Sequence, residues 1–167
     1  MRPVIKRVAV VVLAAGAFPS ALTAQTMLAL PANFAGVWKM DNARSEAAMQ
    51  DQPVGDVIVS ITQTGLMLKV ETSRDGKNEI AIYPIGAPPS DTGEVGGTRR
   101  AFWEGPILVD EGSLDINGKT IGFRESRTAS PDGAEMVVET TLKVQHGYEV
   151  KGALTIVNGK NTFVRTR

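Results

Sequence analysis

The chain has no cysteine and a single histidine, His146, and both shortages exclude chemistry. Without cysteine there is no disulfide framework, no zinc ribbon, no thiol nucleophile and no lipoprotein anchor. One histidine rules out a multi-histidine metal site. Aromatic residues make up only 5% of the 167 residues, too few to furnish the two girdles of an outer-membrane barrel. Charges such as Lys69, Glu71, Glu139 and Lys151 also interrupt the alternate faces that lipid would touch. Neither charge sign dominates, since eighteen Lys and Arg balance eighteen Asp and Glu. The one long apolar run, Val8 to Phe18, has eleven residues, well short of the roughly twenty that span a bilayer as a helix.

That run has a different use. Arg2, Lys6 and Arg7 precede it, and Pro19, Ser20 and Leu22-Thr23-Ala24 follow. A basic start, an apolar middle and small residues at the end are the order of a secretory signal peptide, with cleavage expected after Ala24. The alternative, a retained anchor, is disfavoured by the shortness of the run. Residues 1–24 are therefore predicted to be a leader and residues 25–167 a single exported domain with no membrane span. Without the leader, 143 residues remain, with fifteen basic and eighteen acidic side chains and a net charge of −3. A weakly acidic body lacks the positive field that nucleic acid or anionic lipid requires.

From Gly36 onward, short β-rich runs alternate with turn pairs. Leu66, Leu68 and Val70 alternate with Met67, Lys69 and Glu71, the period of a half-buried strand. Asp75-Gly76, Asn117-Gly118, Asp132-Gly133 and Asn158-Gly159 read as tight hairpin turns. Connections this short cannot make parallel crossovers. The fold expected is all-β: an antiparallel up-and-down meander of about eight to nine strands. Closure into a complete or nearly complete barrel, favoured over a sandwich, would remove exposed edges. Two stretches break the rhythm. In residues 41–55, Ser45 is predicted to cap a short helix with Glu46 in its first turn; residues 85–97, with Pro88-Pro89 and Gly96-Gly97, read as a loop.

The segment Asn33-Phe-Ala-Gly-Val-Trp-Lys-Met-Asp-Asn-Ala-Arg-Ser45 carries a resemblance. Gly36-x-Trp38 on a first strand resembles the G-x-W signature of the calycins, which include lipocalins, fatty-acid-binding proteins and avidins. The longer form is similar to the start of small exported bacterial lipocalin-like proteins. The resemblance implies a lipocalin-like barrel, and a periplasmic or extracellular place in a bacterium. It further implies that Gly36 and Trp38 sit at the closed end, with an arginine of the last strand across the indole. Arg165 is the candidate for that arginine and Arg167 the alternative. Their role would be structural.

No catalytic, metal or cofactor constellation emerges. His146, in Gln145-His-Gly147, reads as a turn residue. Ser113-Leu-Asp115-Ile-Asn117-Gly118 begins like a calcium loop but puts Arg124 where a bidentate glutamate is required. Gly93-Glu-Val-Gly96-Gly97 lacks phosphate-loop spacing. Asp110, Glu111, Glu125, Glu135 and Glu139 read as solvated strand faces.

What remains is an apolar interior. Alternation nominates Ile80, Ile82, Ala101, Trp103, Ile121, Phe123, Met136, Val138, Val150, Leu154 and Ile156 as inward residues. Trp103, Phe123 and Met136 are the predicted wall of a ligand site, while Ala101 and Gly152 would leave space beside them. The leading reading is a non-catalytic calycin-like protein that binds a small, mainly apolar ligand inside the barrel. The alternative is a filled barrel acting through its surface as an inhibitor, adaptor or assembly factor. A third reading, a barrel used as a reaction chamber, would rest on Arg124, Glu125, Arg127 and Glu139.

Overall fold

A computed structural model describes residues 30–46, 55–91, 96–116, 119–145 and 154–166. The leader, Asn117-Gly118, His146, Val150, Gly152 and Arg167 lie outside the described residues, as does the side chain of Leu154. Ten strands follow one another: β1 Gly36–Met40, β2 Val57–Gln63, β3 Met67–Arg74, β4 Lys77–Pro84, β5 Ser90–Asp91, β6 Gly97–Glu104, β7 Ile107–Ile116, β8 Lys119–Ala129, β9 Glu135–Gln145 and β10 Leu154–Arg165. They form one sheet in the order β4-β3-β2-β1-β10-β9-β8-β7-β6-β5, and every neighbouring pair is antiparallel. The meander curls until its first and last strands pair, with Trp38 opposite Arg165.

The expected closure is corrected. Among the described residues the sheet has ten strands and forms a half-barrel with two edges, β4 and β5. Just beyond β4 the chain meets β6 across the gap, through a parallel bridge between Ile85 and Ala101 in which Gly86 N–H donates to the Ala101 carbonyl at 2.7 Å. The connecting segment explains the gap. Pro84, Pro88 and Pro89 have no N–H to donate to a ladder, and β5 offers only Ser90 and Asp91.

Turn chemistry accounts for part of the register. Asp75 and Gly76 both hold positive φ, 50° and 76°, and so join β3 to β4 in two residues. Asn158-Gly159 is no turn. Both residues lie inside β10, opposite Thr141 and Thr140, and Thr141 Oγ1 donates to Asn158 Oδ1 at 3.0 Å. The short helix expected from Ser45 falls on residues 47–50, outside the described residues, while Glu46, expected in its first turn, bridges to Lys160 instead. A single 3₁₀ turn, Asn42–Arg44, precedes Ser45 and is capped by Asp41, whose side chain accepts from the Ala43 N–H. Ser45 instead ends that turn, donating its hydroxyl to the Asp41 carbonyl and accepting the Thr162 N–H.

The concave face gathers the core. Phe34, Trp38, Met40, Val57, Val59, Ile61, Leu68, Val70, Leu108, Met136 and Phe163 are buried there in one cluster. Each aliphatic or aromatic side chain of this kind contributes about 2 kcal/mol when removed from water. Ile80 and Ile82, expected inside, are 62% and 53% exposed, although Ile80 still borders the cavity described below; Ile156 is 54% exposed. On β4 the inward positions belong to Ala81 and Tyr83, which pair with Val70 and Leu68. Directly paired residues share a face, so the apolar face of β3 sets that of β4.

At β6 and β7 the two backbones run unusually close. A Cβ added at Gly112 would fall on the carbonyl oxygen of Thr98. Gly112→Ala should therefore lower stability by about 2 kcal/mol or more, read as a reduced urea midpoint with unchanged slope.

Candidate functional site

The half-barrel narrows to an apolar end and opens toward a polar one. At the narrow end Trp38 is fully buried and its indole N–H donates to the Phe34 carbonyl at 2.8 Å. The Arg165 guanidinium lies 4.2 Å from the Trp38 ring centroid. It donates to the carbonyls of Gly133, Ala35 and Asn33 at 2.7, 2.6 and 3.3 Å. Gly36 makes room for it: φ there is 135°, and a Cβ would come within 2.6 Å of Arg165 Nη1. Cation–π attraction and charge-assisted hydrogen bonds act together on one side chain.

Above the apolar floor lies a group of charges that alternation had not revealed. Asp110 is 4% exposed and Arg127 7% exposed. Arg99 grips the Asp110 carboxylate with Nε at 3.1 and 3.0 Å and a second nitrogen at 2.8 Å. Arg127 holds Glu125 through Nε at 3.0 Å and reaches the Tyr83 hydroxyl at 3.2 Å. Both guanidiniums lie against the Tyr83 ring, at 4.7 and 4.8 Å from its centroid. Burial pushes the Asp110 carboxyl above its ordinary range, and the Arg99 guanidinium opposes that. Burial likewise raises Tyr83. For Arg127, burial alone would weaken its hold on the proton, but Glu125 and Tyr83 together outweigh this and hold it more tightly. The buried charges are thus arranged as two pairs, Arg99–Asp110 and Arg127–Glu125, each guanidinium hydrogen-bonded to its carboxylate.

Beside these pairs is a cavity of about 310 Å³. Met40, Val57, Val59, Val70, Met136, Val138 and Phe163 supply its apolar wall, and Arg74, Glu79, Tyr83, Glu125, Arg127 and Asn161 its polar side. The volume falls within the range of small-molecule sites, about 300–1,000 Å³.

The three wall residues nominated from sequence fall in different places. Met136, 1% exposed, lines this cavity. Phe123 lies beneath Arg99, with 5.4 Å from the guanidinium to the ring centroid. It borders a separate hollow of about 340 Å³ rimmed by Arg100, Glu111, Arg124 and Lys143. Trp103 stacks on Phe34, with centroids 6.0 Å apart and planes within 4°. The four residues nominated for a reaction chamber are also divided. Glu125 and Arg127 face the cavity, whereas Arg124 bonds Glu104 and Glu111, and Glu139 pairs with Lys160. Among the described residues no group of three or more His, Asp or Glu could hold a metal ion, and no helix is long and apolar enough to cross a membrane.

Sequence reasoning missed Arg74, Tyr83, Arg99, Asp110 and Asn161 as interior residues. For Tyr83 a signal was present. The two-residue turn at Asp75-Gly76 pairs Arg74 with Lys77, so even positions of β3 face odd positions of β4.

No protein-family model matches the chain, and no curated protein matches it in sequence. Similar solved structures do exist. One is a secretary abundant heat soluble (SAHS) protein from Ramazzottius varieornatus, 11% identical, covering 82% of this chain and 98% of that one at a TM-score of 0.54. Another is the wild-type fluorescent protein UnaG, 17% identical, covering 80% of this chain and 97% of that one, also at 0.54. At such identities the likeness speaks to architecture alone, and it places this chain among up-and-down antiparallel β-barrel folds.

Proposed function

We propose that this chain is an exported, non-catalytic binding protein that holds one small, mainly apolar molecule in the cavity of its half-barrel. The observation that carries the reading is the 310 Å³ cavity itself, apolar on one side and edged with buried polar groups on the other. A few placed polar groups on an apolar lining are what orient a small ligand. A cavity of this size also weighs against a filled barrel that acts only through its surface. Met136 is the wall residue retained from the sequence-based expectation, and Gly36, Trp38 and Arg165 act as the structural closure of the narrow end. The basic start and apolar run of residues 1–18 support export with cleavage after Ala24.

Native mass spectrometry of the protein purified from a bacterial periplasm tests both parts. The expected mass begins at Gln25 and carries a stoichiometric, solvent-extractable adduct that Met136→Trp, by filling the cavity, abolishes. A bare protein, with no binding across a panel of apolar compounds, would sink the ligand reading. A full-length mass starting at Met1 would sink the export reading.

A further inference from the structure

We infer that the β3–β4 hairpin is a hinged flap that swings inward over the cavity, pairing Arg74 with Asn161 and Glu79 with Arg127. This goes beyond the ligand reading and does not depend on it. Within the sheet β4 pairs only with β3, and β3 is held by β2 along the ladder from Val57–Arg74 to Gln63–Leu68. At one end the hairpin is latched, because the Tyr83 ring packs against the guanidiniums of Arg99 and Arg127 from the opposite wall. Toward the Asp75-Gly76 turn it faces open space. There Thr72, Arg74, Glu79 and Ala81 line the 310 Å³ cavity from one side, and Arg127, Val138 and Asn161 line it from the other. An edge strand backed by a cavity makes few apolar contacts, and segments of that kind open and close locally at low cost.

Unpaired groups on the two walls supply the reason to close. Three buried side-chain atoms have no hydrogen-bond partner: Arg74 Nε, Arg127 Nη1 and Asn161 Oδ1. Native proteins rarely leave such atoms unpaired, because each forfeits its hydration without compensation. Arg74 belongs to the flap. Arg127 and Asn161 belong to the facing wall, where both flank Val138 in one cross-strand row. The groups match across the cavity. Arg74 Nε is a donor and Asn161 Oδ1 an acceptor, while Arg127 Nη1 is a donor and the exposed Glu79 carboxylate on the flap an acceptor. An inward swing would satisfy all three atoms with groups this chain already carries. It would also shelter Ile80, which is 62% exposed at the free margin although it borders the same cavity. An apolar residue left bare on an edge strand is otherwise a liability.

Urea denaturation of a double-variant cycle tests the pairing. Arg74→Met and Asn161→Leu should each lower the folding equilibrium constant about tenfold, the worth of one buried hydrogen bond. The double variant should lose little more than either alone, because both changes break the same bond. In a hairpin that stays open, each change removes an atom that was already unpaired. Unchanged or raised midpoints would therefore overturn the inference, as would losses that multiply to about a hundredfold. The lack of cysteine lets nitroxide labels be placed at Asn78→Cys on β4 and Glu139→Cys on β9 alone. Double electron–electron resonance should give a shorter distance in the otherwise unchanged protein than in Arg74→Met with Glu79→Leu, which removes both pairing groups of the flap. Equal distances overturn the swing. Neither measurement uses a ligand, so failure here leaves the ligand reading standing, and a bare protein in mass spectrometry leaves the flap standing.

Discussion

Arg165→Met should lower the stability of the folded protein by about 3 kcal/mol, the largest effect expected of any single change at the narrow end. One side chain there covers the Trp38 ring at 4.2 Å and serves three main-chain carbonyls from Asn33, Ala35 and Gly133. Methionine restores part of the packing and none of the donors, so these carbonyls would lose their charged partner. For a domain of this size the loss corresponds to a drop of about 6–12 °C in melting temperature. Arg165→Lys should recover only a minority of it, because an ammonium cannot spread three donors in the plane of a guanidinium. If the methionine variant melts within a degree or two of the parent, the arginine is not what ties β1, β10 and the 130–134 turn together.

Arg127→Met should cost about as much, 3–5 kcal/mol, but for a different reason. Arg127 is 7% exposed, and its loss would leave the Glu125 carboxylate without its cation and the Tyr83 hydroxyl without its donor. The cost lies in the uncompensated charge rather than in the pair, because desolvation consumes most of what a buried ion pair gains. The double variant Glu125→Leu with Arg127→Met should therefore be far more stable than Arg127→Met alone, and close to the parent. A urea-denaturation cycle over the four proteins gives the coupling. Additive losses would mean that Glu125 and Arg127 act through separate contacts, and that the ion pair does not organise the polar side of the cavity.

The two halves of the interior differed in how far they were legible beforehand. Leu66 to Val70 alternates cleanly, and Asp75-Gly76 supplies both residues with the positive φ that a two-residue turn needs, so that hairpin is local information. Asn158-Gly159 has the same letters, yet it lies within β10, where pairing with Thr140 and Thr141 along a twelve-residue strand outweighs a turn preference. Ile80 and Ile82 misled for a related reason. As β-branched residues they fit either face of a strand, and their facing was decided across the ladder by Leu68 and Val70. The polar side of the cavity was less legible still. Arg74, Asp110, Arg127 and Asn161 look like surface residues in any window of sequence, because charge and amide groups normally belong to water. For Arg127 part of the partnership comes from a distant strand, where the Tyr83 hydroxyl meets it from 44 positions away.

By itself, then, the order of amino acids determined an all-β antiparallel meander, a first strand carrying Gly36 and Trp38, and an absence of cysteine chemistry. These follow from short-range physics: the period of two along a strand, the φ demands of turns, and the shortness of connections. The tertiary structure decided the number of strands, the gap between β4 and β5, and the facing of β4. It also decided which charges turn inward to edge a cavity. Those outcomes depend on contacts between residues far apart in the chain, where register and desolvation are settled by partners that no local window contains.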